Sequence, residues 1–316
     1  MQWGNFRRSS NVEIAQRGSG GGGGGFRIGG GKLGIGAVVI VLLASWGLGI
    51  DPSVLMGALT GEDTGGYSDS PSSPQTQSYN ENSPQGQTQQ GQTTAANYPD
   101  APFVAAVLGE TEDRWAEILA PHGVTYEAPK LVLFSGVTRS ACGTAASAMG
   151  PFYCPNDRRI YLDTEFFDEI QTKLGGCKAG SKSCEFSEAY VIAHEVGHHV
   201  QNLLGILPKA EAAEARASDT EANRIQVRVE LQADCFAGLW ANKAQAKWNF
   251  LEDGDVDAAL QTATAIGDDT LQKRAQDYVV PDAFTHGTAA QRKHWFVTGL
   301  KGGSIESCDT FAADAP

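Results

Sequence analysis

The sequence predicts an α+β fold in which a small sheet lies beside several helices, carried by residues 100–316 of a 316-residue chain. Three observations lead there. Short strand-type runs bounded by turn residues cluster between residues 131 and 162. Apolar residues recur at helical spacing before and after them, and residues 60–98 are a polar stretch with almost no aliphatic side chains.

Taken in order, residues 103–120 place Val104, Val107, Leu108, Trp115, Ile118 and Leu119 at helical spacing and predict a first helix. Residues 131–134 are a short apolar run of strand type. Phe152-Tyr153-Cys154 and Ile160-Tyr161-Leu162 flank Asn156-Asp157 and read as two strands around a turn. Thr164 would cap a helix containing Phe166, Phe167, Ile170 and Leu174. Two long helical patterns follow at residues 185–204 and about 219–243, then shorter ones near 256–266 and 288–300.

Ahead of this domain, residues 33–50 contain no charge and are just long enough as a helix to cross a hydrocarbon core. Arg7, Arg8, Arg17, Arg27 and Lys32 precede them against Glu13 alone, and Asp51, Glu62 and Asp63 follow. The positive-inside tendency then keeps the N-terminus in the cytoplasm and exports the rest. A cleaved signal peptide is the competitor, but the apolar run begins late and no small-x-small cleavage site follows it. The division expected is a flexible cytoplasmic tail at 1–32 with a glycine run at 20–25, a transmembrane anchor at 33–50, a disordered linker at 51–99 and one globular domain at 100–316.

The net charge of -13 argues against a nucleic-acid partner, which would need a basic face. Cysteines stand at 142, 154, 177, 184, 235 and 308 with no CxxC pair, so a zinc ribbon or a thioredoxin-like site is not indicated. In an exported domain an even count suggests disulfides. Proximity favours Cys142 with Cys154 and Cys177 with Cys184, leaving Cys235 and Cys308 by elimination, with buried thiols as the alternative for that last pair.

The chemistry is concentrated in His194-Glu195-Val196-Gly197-His198. Histidines four apart on a helix share a face, so both imidazoles can reach one zinc ion. Glu195 beside the first ligand can accept a proton from water activated by the ion without ligating it, which is the logic of H-E-x-x-H. The pattern alone arises by chance and needs support. Glu230, in Glu230-Leu231-Gln232-Ala233-Asp234 on the next long helix, is the best third ligand. Asp234, one turn on, would take the free ring N–H of a ligand histidine, although it could itself be the ligand. The bland alternative for Glu230 is an exposed carboxylate paired with Arg228 or Arg224. His199 points about 100° away from His198 around the helix and reads as a surface or packing residue. His286, in the loop before the last helix, is the candidate for steadying an oxyanion, with Tyr153, Tyr161 and Arg292 as weaker ones. Residues 150–155, with prolines at 151 and 155, suit either an edge strand that holds a peptide by main-chain bonds or an ordinary hairpin.

Taken together, Ala141-Cys142-Gly143, Gly150-Pro151-Phe152-Tyr153-Cys154-Pro155, Ile160-Tyr161-Leu162-Asp163, His194 to Gln201, Glu230 to Cys235 and His286-Gly287-Thr288 resemble the putative neutral zinc metallopeptidase family of bacterial membrane-anchored proteins. Arg7-Arg8-Ser9 and Asn11-Val12-Glu13 belong to the same resemblance, which covers nearly all of the chain except the linker. It implies a zincin-like metallopeptidase domain that is exported; the apolar segment at 33–50 and its flanking charges add the expectation of a single pass through the bacterial inner membrane, with the N-terminus inside. The helix with Glu230 and Asp234 looks like that of the thermolysin-type enzymes, with a longer gap after the second histidine. The leading expectation is therefore a zinc metallopeptidase acting on envelope proteins or peptides, with one zinc on His194, His198 and Glu230, and Glu195 and His286 at the chemistry. The competing reading is a zinc-stabilised envelope binding or scaffold module with its cleft filled or covered. An intramembrane protease does not fit, because the motif lies far from the apolar segment in polar sequence.

Overall fold

The computed structural model describes residues 1–15, 76–78, 98–146, 150–163, 165–178 and 180–312. Strands β1 (Val12–Ala15), β2 (Thr76–Ser78), β3 (Lys130–Phe134), β6 (Phe152–Cys154) and β7 (Arg159–Asp163) make one sheet in the order β2-β1-β3-β7-β6. Strands β4 (Val137–Ser140) and β5 (Gly143–Ala146) form a separate hairpin. Neighbours β1, β3 and β7 are parallel, while β2 and β6 run antiparallel at the two edges.

Side chains alternate between the two faces of the sheet, as the pleat requires. Leu131, Leu133, Ile160 and Leu162 enter the main core, while Val132, Phe134 and Tyr161 join Ala145 and Cys154 in a second cluster on the other face. The main core is shared with the helices α1 (Ala101–Leu119), α2 (Glu165–Glu169, extended by a π-turn at Ile170–Leu174), α3 (Cys184–Leu203), α4 (Ile206–Glu214), α5 (Asp219–Trp248), α6 (Asp255–Ala265), α7 (Asp268–Gln276) and α8 (Ala289–Gly302). Large aromatics fill it, with Trp115 edge-on to Phe236 at 5.2 Å and Phe186 against Phe250 at 5.9 Å.

The mixed α+β class and the principal elements agree with the sequence reading. The three expected disulfides are formed, Cys142–Cys154, Cys177–Cys184 and Cys235–Cys308, with Cα separations of 5.8, 5.5 and 5.5 Å. Helices α4 and α7 and the β4–β5 hairpin were not anticipated. The proposed anchor at 33–50 and the cap at Thr164 lie outside the described residues. Among the described residues no helix is long and apolar enough to cross a membrane. Residues 76–78 of the expected linker pair as β2 along β1 rather than belonging to a structureless tether.

The tail expectation fails for residues 1–15. Met1, Phe6, Val12 and Ile14 are buried in the main core, and β1 lies inside the sheet between β2 and β3. Polar contacts hold the approach to the strand: Arg7 bonds Glu112 at 2.6 Å and Asp113 at 2.9 Å, and Ser9 and Asn11 bond Glu112 at 2.7 and 2.8 Å. Gly109 of α1 permits the close approach, because a Cβ there would run into the carbonyl of Arg7. The positive charges read as a cytoplasmic signal are thus partly engaged in the fold.

Candidate active site

Helix α3 is buried along most of its length, which Phe186, Ala189, Tyr190, Ile192, Ala193, Val196 and Val200 account for. His194 and His198, one turn apart, face the crossing helix α5. Gly197 lies at that crossing: a Cβ there would sit 3.0 Å from the carbonyl oxygen of Ala233 and 3.1 Å from its Cα. The absence of a side chain lets α5 come near enough for Glu230 to meet the histidines.

The three expected ligands converge. Donor atoms of His194, His198 and Glu230 all lie within 4.8 Å of one another. His194 Nε2 is 3.2 Å from Glu230 Oε2 and 3.2 Å from His198 Nε2, and His198 Nε2 is 3.6 Å from the same carboxylate oxygen. Glu230 is 6% exposed, so the exposed-carboxylate alternative does not apply; Arg228 instead donates to the carbonyl of Thr310, and Arg224 lies near Glu221 and Asp282. Asp234 takes the supporting place, accepting from His194 Nδ1 at 2.9 Å. It also accepts from Tyr190 Oη at 2.5 Å and from Arg292 Nε and Nη2 at 2.8 and 3.0 Å.

His198 has a partner that the sequence reading missed. Its Nδ1 lies 2.9 Å from Gln201 Oε1, and Gln201 Nε2 donates to the carbonyl of Val229 and to Gln232 Oε1. Gln201 stands three residues after His198, on the same helical face, which is the signal that could have identified it. With Nδ1–H of each histidine bound to an acceptor, both Nε2 lone pairs turn toward Glu230.

The donor set suits zinc: two imidazoles and one carboxylate leave a fourth position open. Burial opposes charge on His194, but Asp234 and Glu230 outweigh it and raise the imidazole to about 10. Glu230 is held well below the usual carboxylate range; burial works against this and His198, His286 and His194 overcome it. Asp234 falls to about 2, because Arg292 and His194 outweigh the same penalty. Lone pairs that hold a proton this firmly are also available to a divalent cation, which competes for them. Glu195 is 7% exposed, and its Oε2 is buried without a hydrogen-bond partner. Burial raises its pKa from the ordinary carboxylate value.

The site opens into a cleft of about 910 Å³, lined by His194, Glu195, His198 and Glu230 with Phe152, Phe166, Val191, Leu207 and Leu271 around them. His286 lines the cleft, as expected, and is tied to Asp268, whose Oδ2 accepts from the backbone N–H groups of Thr285, His286 and Gly287. Burial lowers its pKa, but Glu230 and Asp268 prevail and raise it. The weaker oxyanion candidates fare differently. Arg292 is committed to Asp234 and to the carbonyl of Ile266, and Tyr153 lines the cleft with its hydroxyl bonded to His199 and Asn202. Tyr161 does not line the cleft; it faces the second cluster and donates to Asp157 at 2.8 Å. His199 is buried, consistent with packing and not with the surface.

A family model described as putative neutral zinc metallopeptidase matches residues 1–311, so the match includes β1 and its approach. The uncharacterized protein YpfJ of Escherichia coli is 43% identical over 315 residues, covering 98% of this chain and 99% of that protein. The uncharacterized protein Rv2575 of Mycobacterium tuberculosis is 44% identical over 197 residues, 60% of this chain and 64% of that one. No solved structure matches.

Proposed function

The chain belongs to the neutral zinc metallopeptidase family, and from that premise we propose that it hydrolyses peptide bonds with one zinc ion held by His194, His198 and Glu230. The supporting observation is the convergence of those three side chains beside the buried, unpartnered carboxylate of Glu195. When bound there, zinc supplies Lewis-acid polarisation of a carbonyl and acidifies water. Glu195 Oε2 takes the proton of the attacking water and delivers it to the leaving amine. His286, whose pKa Glu230 and Asp268 raise against burial, donates to the oxyanion that develops on the scissile carbonyl. Asp234 and Gln201 hold the two imidazoles in the tautomer that directs Nε2 to the ion. The peptide lies extended along the edge strand β6, in the cleft it lines, bound through main-chain groups. Among the described residues nothing fills the cleft, which favours this reading over a scaffold module.

Three disulfides support an oxidising, extracytoplasmic workplace with envelope proteins or peptides as substrates. Glu195→Gln should retain zinc at one ion per chain and lower peptide turnover about 100-fold to 10,000-fold. Unchanged cleavage of a peptide library by the zinc-loaded variant would exclude Glu195 as the base.

A further inference from the structure

The histidine that follows the second ligand has its own set of partners. His199 is 1% exposed, with its ring between Tyr126 and Tyr153 at centroid distances of 5.7 and 5.4 Å. Its Nε2 lies 2.6 Å from the carbonyl oxygen of Glu127. A carbonyl can only accept, so the ring proton is on Nε2 and Nδ1 offers a lone pair. The hydroxyl of Tyr153, 3.1 Å away, donates to that lone pair and accepts from Asn202 Nδ2 at 2.9 Å. Both ring nitrogens of His199 and the hydroxyl of Tyr153 are therefore engaged within the protein, which leaves them no part in the chemistry.

Their placement gives them another role. Tyr153 is the middle residue of β6, the outermost strand, which has no second strand neighbour among the described residues. The last residue of the strand is held by the Cys142–Cys154 disulfide, while His199 and Asn202 are on α3 with the metal ligands. The link thus joins an edge strand of the sheet to the helix that carries His194 and His198. In reactions that depend on alignment, a displacement of about 1 Å can cost roughly 100-fold in rate.

We propose that His199 and Asn202 are positioning residues: through the Tyr153 hydroxyl they fix the edge strand β6 relative to His194, His198 and Glu230, so that a peptide extended along β6 presents a carbonyl to the metal centre. This rests on the peptidase reading of the site. It goes beyond that reading by assigning residues that touch neither zinc nor the reacting atoms.

The test uses binding rather than turnover, on the zinc-loaded full chain, with two probes. Acetohydroxamate can only ligate the metal, whereas a tetrapeptide hydroxamate adds an extended backbone. The wild type should bind the peptide probe more tightly. Tyr153→Phe keeps the ring and loses the hydroxyl; Asn202→Ala removes one bond of the link and serves if the first variant folds poorly. Each should keep its zinc, hold acetohydroxamate within about twofold of wild type and weaken the tetrapeptide hydroxamate about tenfold. Equal losses for both probes would place the effect on the metal and overturn the proposal. So would unchanged binding of the peptide probe, or a wild type that does not distinguish the two probes. A wild type that binds the peptide probe tightly yet cleaves no peptide would sink the peptidase reading and leave the positioning role standing.

Discussion

Replacing Asp234 by Asn keeps the shape of the side chain and removes its charge, and the structure allows the consequences to be worked through. Asp234 is fully buried and accepts from Tyr190, His194 and twice from Arg292. Arg292 is 3% exposed and remains charged when its counterion is gone. Removing one partner of a buried pair destabilises by about 3 to 5 kcal/mol. Separately, the Nδ1–H of His194 loses its carboxylate acceptor, and losses of this kind weaken zinc binding about 10-fold to 100-fold. Two measurements separate the effects: urea unfolding of the zinc-free protein reads the first, and competition with a chromophoric chelator reads the second. Asp234→Asn should unfold at lower urea without zinc and release zinc more readily. Wild-type stability in the zinc-free variant would refute the buried-pair argument, and wild-type zinc affinity would remove Asp234 from the support of His194.

Glu188 provides a test by pH. Burial, with Asp100, Glu185 and Asp168 nearby, raises its carboxyl from 4.5 to about 7 against the hydrogen bond from Gln171. The folded state therefore holds the proton more tightly than the unfolded chain between those values, and the stability this contributes is full below 4.5 and lost as pH rises through 7. Glu188→Gln should gain about 3 kcal/mol in unfolding free energy near pH 8 and almost none near pH 4.5; the same gain at both would show that the group does not titrate there. Single cysteines at the exposed residues Ser10 and Lys293, probed in cells with a membrane-impermeant maleimide, should label from the same side. Labelling of one from outside and of the other only after permeabilisation would contradict the packing of residues 1–15 onto the domain.

The centre was legible because its chemistry is written in periodic positions. His194 and His198 at i, i+4, and Glu230 and Asp234 at the same spacing, occupy matching faces of two helices, and helix geometry does the rest. Strands β6 and β7 and the disulfides could be read from local sequence. What escaped was set by contacts between distant segments. Strand β1 is four residues long, too short for a period to register, and its pairing with β3 is parallel and remote. Gln201 carries no charge and so drew no notice as a support for His198. Arg292 and Tyr161 were plausible donors by type, but a residue's type does not say whether a buried carboxylate has already engaged it or which face of a sheet it occupies.

Strand β1 also bears on how the chain folds. Asn11 meets Lys130 across 119 residues of sequence, so the strand synthesised first waits for partners that are made much later. Closing a loop costs only about 0.6 kcal/mol more for each doubling of its length, so equilibrium stability is nearly indifferent to how many residues separate Ala15 from Tyr98. Folding speed is not, because pairings between remote segments are slow to form. A chain halted before Lys130 is made would leave Val12 and Ile14 without β3 beside them, which places the completion of this sheet well after β1 itself is made.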